Sequence, residues 1–494
     1  MKNNFKVWFI LIFNLIFQIV QGQKWDVNWR LGFDCCNTVN GGMNINFESS
    51  IPSANAVNFN MGITPTNATI SDYEGNLLFY TNGYYIADVT NDTMMNGSGL
   101  NPGDFADLYA DFGVPIIQGN LILPAPDQSN LYYLFHMIGN FDDPTNNPTY
   151  QPLELYYSII DMSANGGLGA VISKNNILFS DTITLGQLTA CKHANGRDWW
   201  IVVPKHHSNL YHIALLTPTG FQLSTQSIGT IRNSYNWSGQ AVFSPDGHWY
   251  CDYDGYNGMT LMNFDRCSGS FYNEIHAPCD SFDTLGVSGG VAFSQNSQFL
   301  YVSTPINLFQ LNVNSSNLWN SKTLVASYDG YTDPYPTNFY LMFLAFNSKI
   351  YLNSTYGTFA LHEIQYPDSG GVSCQVAQHS LTLPRQNLNS IPNFPNYSLG
   401  REIGSPCDSL LNQENETVLL RGEVFPNPAN KKIYFKNFED ENLKVVVRNY
   451  NGQILFEDNI HNGSLDVESY PDGFYVIDVL VDNKTSHIKC LVMH

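Results

Sequence analysis

The sequence predicts an all-β protein in two parts. Three observations carry this reading. Aromatic-rich segments recur at near-regular spacing, each behind a turn signal. No long helical periodicity runs between Gln23 and Cys407. The last stretch, residues 424–494, shifts in composition and reads as a separate set of short strands.

The chain of 494 residues is long enough for more than one domain. It opens with a short basic start, Met1–Lys6, and an apolar run, VWFILIFNLIFQIV, from Val7 to Val20. This is the pattern of a secretory signal peptide over residues 1–22, cut after Gly22. The run contains Asn14 and Gln18 and falls short of the roughly 20 apolar residues of a spanning helix. No later segment is apolar enough to span, so the mature chain is expected to carry no transmembrane segment.

The elements that follow are predicted from an internal echo. SGQAVFSPDGHWYCDY, from Ser238, is repeated as SGGVAFSQNSQFLYVS, from Ser288, and more faintly as LAFNSKIYLNS, from Leu344. Phe243 aligns with Phe293 and Ser244 with Ser294. In each copy an apolar segment meets a polar turn and an aromatic strand returns, which is a hairpin. The same mark appears in ISDYEGNLLFYTNG (Ile70–Gly83), APDQSNLYYLFHM (Ala125–Met137) and HANGRDWWIVVPK (His193–Lys205). Aromatic strands thus begin near residues 76, 131, 198, 248, 298 and 349. A repeat of this length is what stacked four-stranded units produce. Residues 23–407 are therefore expected to form a β-propeller. Six units are visible. A seventh is expected to combine strands of the Trp29–Phe47 region with the segment Ile391–Gly400, with six or eight blades as the alternatives.

Gly286-Val287-Ser288-Gly289-Gly290 also fits the G-x-S-x-G pattern of a hydrolase elbow. That device needs a helix after the serine. Here a strand is expected, so the glycines are read as the opening of an inner blade strand.

The formal charge is −21, and about −23 once Lys2 and Lys6 leave with the leader. Such a surface repels nucleic acid and anionic lipid. Nine cysteines in an exported chain permit disulfides. Cys267 and Cys279 are close enough in sequence to staple one hairpin, and Cys374 and Cys407 to tie a late segment together, but spacing alone leaves the pairing open, and the odd count leaves at least one thiol over. Asp252, Asp254 and Asn257, in CDYDGYNG, resemble a fragment of a calcium loop but lack the rest of its ligand order. An Asx-rich hairpin turn is the preferred reading, and calcium is the one cofactor the sequence suggests. His206, His207 and His212 alternate along one hairpin, with His193 upstream, and are not expected to converge on a metal. No catalytic set stands out.

After Cys407 a polar linker, residues 408–423, leads into KIYFKNF, LKVVVRNY, QILFED, SLDVES, GFYVIDVLVDN and SHIKCLVMH. Tight turns join them, so residues 424–494 are expected to form a small antiparallel, immunoglobulin-like β-sandwich. VFPNPANKKIYF, VRNYNGQILF and SYPDGFYVIDVLVD, in that order, closely resemble the type A sorting domain of type IX secretion cargo of the Bacteroidetes. Pro426, Asn427, Pro428, Gly452, Pro471, Gly473 and Tyr475 carry the match. ISDYEGNLLFYTNG, MMNGSGL, FSPDG, NFDRCSG and IPNFPNYSLG resemble a secreted Bacteroidetes propeller family of the WD40/YVTN kind. The resemblance implies export in two stages, with the outer-membrane secretion machinery as partner of the sandwich. The propeller is then expected to be secreted or attached to the cell surface. Its role there is read as a binding or adhesion module for an extracellular glycan or protein. The alternative is a hydrolase of glycans or peptides.

Overall fold

The computed structural model describes residues 23–32, 41–59, 61–141, 150–232, 239–282, 288–408, 423–436, 443–449, 453–460, 463–481 and 484–494. The leader, Cys35, Cys36, Gly286, Val287, Gly452 and most of the linker lie outside the described residues. The chain divides into two compact units, Met1–Ile403 and Gly404–His494.

The first unit contains seven antiparallel sheets among the described residues. Blade 1 comprises β1 (Asn28–Leu31), β2 (Gly42–Asn46) and β3 (Ser53–Val57). Blade 2 comprises β4 (Ala68–Ser71), β5 (Leu77–Thr81) and β6 (Ile86–Asp88), and a short helix, α1 (Asp104–Leu108), follows it. Blade 3 holds β7 (Asn120–Pro124), β8 (Leu131–His136), β9 (Glu154–Asp161) and β10 (Ala170–Ser180). Blade 4 holds β11 (Thr189–Lys192), β12 (Trp199–Pro204), β13 (Leu210–Thr217) and β14 (Gly220–Ser227). Blade 5 holds β15 (Gly239–Phe243), β16 (Trp249–Asp254), β17 (Gly258–Asp265) and β18 (Ser270–Ala277). Blade 6 holds β19 (Val291–Phe293), β20 (Phe299–Ser303), β21 (Asn307–Asn312) and β22 (Thr323–Ser327). Blade 7 holds β23 (Met342–Leu344), β24 (Ile350–Leu352), β25 (Thr358–Ile364) and β26 (Val376–Asn387).

In each blade the strands pair in chain order. First strands of successive blades lie side by side, β1 on β4, β4 on β7, and β11 through β15 and β19 to β23. They therefore ring a common axis, which makes a seven-bladed propeller. Burial follows the radius. The second strand of blade 4, WWIVVP, is buried at every residue, whereas the fourth, GFQLSTQS, is mostly exposed. The turn between the first and second strands of each blade falls on one face of the disc, here called the turn face. The connections from second to third strands, and from one blade to the next, fall on the other.

The ring closes by packing rather than by a shared strand, which corrects the expectation for blade 1. All its strands are N-terminal, and Ile391–Gly400 forms no strand. Tyr351 of β24 packs on Phe47 and Trp29, with ring centroids 4.8 and 6.3 Å apart. β26 lies beside β3. Burial of these large rings supplies the closing energy that an added ladder would otherwise provide.

The echo has a local cause. Ser244 Oγ donates to Asp246 Oδ1 (2.5 Å) and accepts from the Trp249 amide (3.0 Å). Ser294 does the same with Asn296 (2.7 Å) and Phe299 (2.9 Å). A hydroxyl at this position satisfies both ends of the turn. In the third copy the turn is one residue shorter, and Ala345 binds Lys349 through main chain alone (2.8 Å).

The second unit packs two sheets around one apolar core. One sheet has β27 (Glu423–Phe425), β28 (Lys432–Lys436) and β31 (Ser464–Asp466). The other has β30 (Ile454–Ile460), β29 (Leu443–Asn449), β32 (Gly473–Val481) and β33 (Lys484–Val492), in that order. Ile433 and Leu465 of the first sheet meet Val445, Ile477 and Val479 of the second, an antiparallel sandwich.

Candidate functional site

The axis of the disc is crossed by the chain itself. After β26 the segment 390–398 runs through the centre and is held by amide side chains. Asn393 donates to the carbonyls of Asn120 (3.0 Å) and Leu188 (2.8 Å) and accepts from Gln118 (3.1 Å). Gln118 also grips Ala241 of β15 through its carbonyl (2.9 Å) and amide (2.7 Å). Asn67 reaches the Arg30 carbonyl (2.6 Å) and Ser390 (3.1 Å). Short first strands leave main-chain groups unpaired toward the axis, and buried amides satisfy them.

On the turn face the remaining space is an axial pocket of about 340 Å³. Five phenyl rings line it, from Phe243, Phe293, Phe343, Phe346 and Phe394. Asp26 is the one charged residue in the lining. Its only partner among the described residues is its own main-chain amide, and burial pushes its carboxyl up to about 6. Tyr397 stands beside it, and burial followed by the Asp26 charge drives the phenol well above its ordinary range.

A second concavity opens on the same face, between the turns of blades 2 and 3. This rim groove holds about 620 Å³ and is walled by Trp25, Tyr73 and Tyr132, with Asp72, Glu74 and Asp127 along it. Trp25 lies 6.1 Å from Tyr132 and 6.1 Å from Tyr397. Tyr73 is 56% exposed. Asp72 caps its own turn, accepting from the amides of Glu74 (2.9 Å) and Asn76 (2.8 Å). Asp127 pairs with Arg197 (2.9 Å). Tyr73 and Tyr132 sit in two of the turn-and-strand marks visible in the sequence. Asp26 carries no local mark, because only the closed ring brings it to the axis.

The residues singled out earlier fall elsewhere. Ser288 precedes β19, and a strand follows it. Asp252 is bound by buried Arg232 (2.5 Å) and by the Tyr211 hydroxyl (3.2 Å). Asp254 caps its turn through the amides of Tyr256 (2.8 Å) and Asn257 (2.7 Å), and burial holds it up at about 6. Among the described residues no three His, Cys, Asp or Glu side chains converge as a metal site requires. His212 binds Asp181 (2.9 Å) and stacks on Phe179, while His206 stacks on His207.

The cysteine pairings are corrected. Cys267 and Cys407 are each disulfide-bonded, whereas Cys279 and Cys374 are free thiols. Cys267 lies in the turn before β18 and Cys279 beyond its other end. Eight strand residues separate them, about 26 Å at roughly 3.3 Å per residue, where a disulfide allows no more than about 7 Å. Cys374 is buried beside the Tyr301 hydroxyl.

In the C-terminal unit the sequence motif has a mechanical role. Pro426, Asn427 and Pro428 form the turn between β27 and β28. Asn427 accepts from the Leu491 amide (2.9 Å) and donates to the Lys489 carbonyl (2.9 Å), so the turn grips the last strand. Tyr475 donates to the Pro471 carbonyl (2.6 Å), and Gly473 opens β32 opposite Val492. Residues 423–493 match the family model described as the secretion system C-terminal sorting domain. The second unit is a secretion-system sorting domain. The protein is thus type IX secretion cargo, secreted or held on the outer surface, and its sorting domain engages the secretion machinery. No described helix is long and apolar enough to cross a membrane.

No curated protein matches the chain. Among solved structures it is similar to PorZ, described as a surface component of the type-IX secretion system of Porphyromonas gingivalis. The identity is 10% and the TM-score 0.31, over 92% of this chain and 68% of that one. It is similar to a protein of unknown function from Desulfotomaculum acetoxidans, at 12% identity and TM-score 0.37, over 72% and 96% of the two chains. The β-propeller domain of Cps50 (Swd1) from Myceliophteria thermophila gives 10% identity and a TM-score of 0.34, over 67% and 95%.

Proposed function

We propose that the exported propeller is a binding module that holds an extracellular glycan in the rim groove. The observation behind this is the wall of Trp25, Tyr73 and Tyr132 edged by polar side chains. Aromatic faces pack against the C–H faces of sugar rings, and carboxylate and amide oxygens accept sugar hydroxyls. A glycosidase would need two free carboxylates about 5–9.5 Å apart. Asp72 caps its turn and Asp127 pairs with Arg197, which leaves Glu74 as the single unengaged carboxylate among the described groove residues and favours holding over cleaving.

A glycan array probed with the mature chain tests the reading. Retention of a defined glycan class is expected, with loss in Tyr73→Ala, whose ring is exposed and supports little of the fold. An array without binding, or a Tyr73→Ala variant that binds as the parent does, would falsify it.

A further inference from the structure

The axial pocket differs in chemistry from the groove and goes beyond the glycan reading. We infer that it binds an organic ammonium ion, an amine carried on a short apolar body, with Asp26 as counter-ion.

Three properties of the pocket converge on this ligand. Its volume of about 340 Å³ suits a small molecule rather than a chain segment. Its phenyl walls present apolar surface, and the negative faces of such rings attract cations. Its single charge is negative, and no cationic side chain among the described residues offsets it. A partly buried carboxylate without a counter-charge is costly, and a cation from outside relieves that cost. The carboxyl titrates near 6, so it is ionised at neutral pH, while neighbouring Tyr397 keeps its proton and stays neutral. An anion would be repelled, and a neutral apolar ligand would leave the partly buried Asp26 charge without a counter-ion. Gln295 and Asn396 add amide oxygens that can accept ammonium N–H groups.

The test compares benzylamine with benzyl alcohol, similar in shape and different in charge, by calorimetric titration of the mature protein at pH 8. Benzylamine should bind saturably, at least about ten-fold more tightly than the alcohol, a difference worth about 1.4 kcal/mol. Asp26→Asn should erase that preference. Equal affinity of the two probes for the parent protein, or no saturable benzylamine binding, overturns the inference whether or not the variant folds. A preference that survives in Asp26→Asn overturns it too. Tyr73→Ala should leave benzylamine binding unchanged, so this result stands or falls apart from the glycan reading.

Discussion

Gly290 lies so close to Gln240 that a β-carbon at 290 would stand 2.5 Å from Gln240 Oε1. The two positions are equivalent in the echoed sequences, so one copy's side chain occupies the space left by the other's lack of one. Gln240 uses that space to bridge blades. It donates to the Met342 carbonyl (2.6 Å) and accepts from the amides of Met342 and Val291 (both 3.2 Å). Gly290→Ala should therefore destabilise the propeller by about 1–3 kcal/mol through overpacking. Gln240→Ala should cost about as much, because it leaves buried main-chain groups unpaired. The double variant should lose less than the two singles together, as the alanine at 290 no longer meets the amide. Thermal melts of the four proteins measure this, and strict additivity would show that the two sites do not share the space.

Peptide mapping under non-reducing conditions should find Cys267 and Cys407 only in disulfide-linked peptides. Cys279, half-buried, should alkylate in the native protein. Cys191, Cys251 and Cys374, all buried, should react only after unfolding. Cys279→Ser should change the unfolding free energy by less than about 1 kcal/mol, whereas Cys267→Ser should cost about 2–4 kcal/mol. A linked Cys267–Cys279 peptide would contradict the placement of these residues at opposite ends of β18.

The second strands of blades 2 to 7 are legible because a turn signal and buried aromatic residues lie within a dozen residues, whereas β2, GMNIN, carries no aromatic residue. The motif of the sorting domain was legible for the same reason. The segment Ile391–Gly400 resembles a strand, yet Asn393 and Asn396 bond to the carbonyls of Asn120, Leu188 and Pro245, from three different blades, and such long-range pairing leaves no local trace. Sequence distance brings Cys267 near Cys279, although a strand carries its two ends far apart. Asp26 gave no signal at all, since an aspartate becomes unusual only when a ring of phenylalanines closes around it.

His248 sits between Asp246 (3.7 Å) and Glu402 (3.0 Å), and these partners raise its pKa to about 9. A raised histidine binds its proton more tightly in the folded state. Its contribution is therefore complete below about 6.5 and is lost as pH rises through about 9. The imidazole is about half exposed, so the effect is screened and modest. His248→Asn should melt below the parent at pH 6 and match it at pH 10. A constant difference across that range would show that the ring acts by packing alone.

Asp26 works in the opposite sense. Burial raises its carboxyl to about 6, so the folded state favours the protonated form. Ionisation then opposes folding, by an amount that grows from about pH 4 and is complete above about 6. Asp26→Asn should raise the melting temperature at pH 8, with the gain vanishing near pH 4. A site kept for binding commonly carries such a cost in stability. An aspartate whose removal destabilises the fold at pH 8 would instead be a structural residue.

Export should depend on the grip of Asn427 on the last strand. Deleting residues 421–494 should leave the propeller folded in the periplasm, since the first unit has its own core. Asn427→Ala removes both hydrogen bonds to β33, each worth about 1 kcal/mol at most on an exposed turn. That variant should lower the melting temperature of the sorting domain and reduce export without abolishing it. Cell fractionation with antibody to the propeller separates the outcomes. Full export of the deleted chain would remove the sorting role from the second unit. Full export of Asn427→Ala with a lowered melting temperature would show that the machinery reads the motif's surface rather than its hold on the strand.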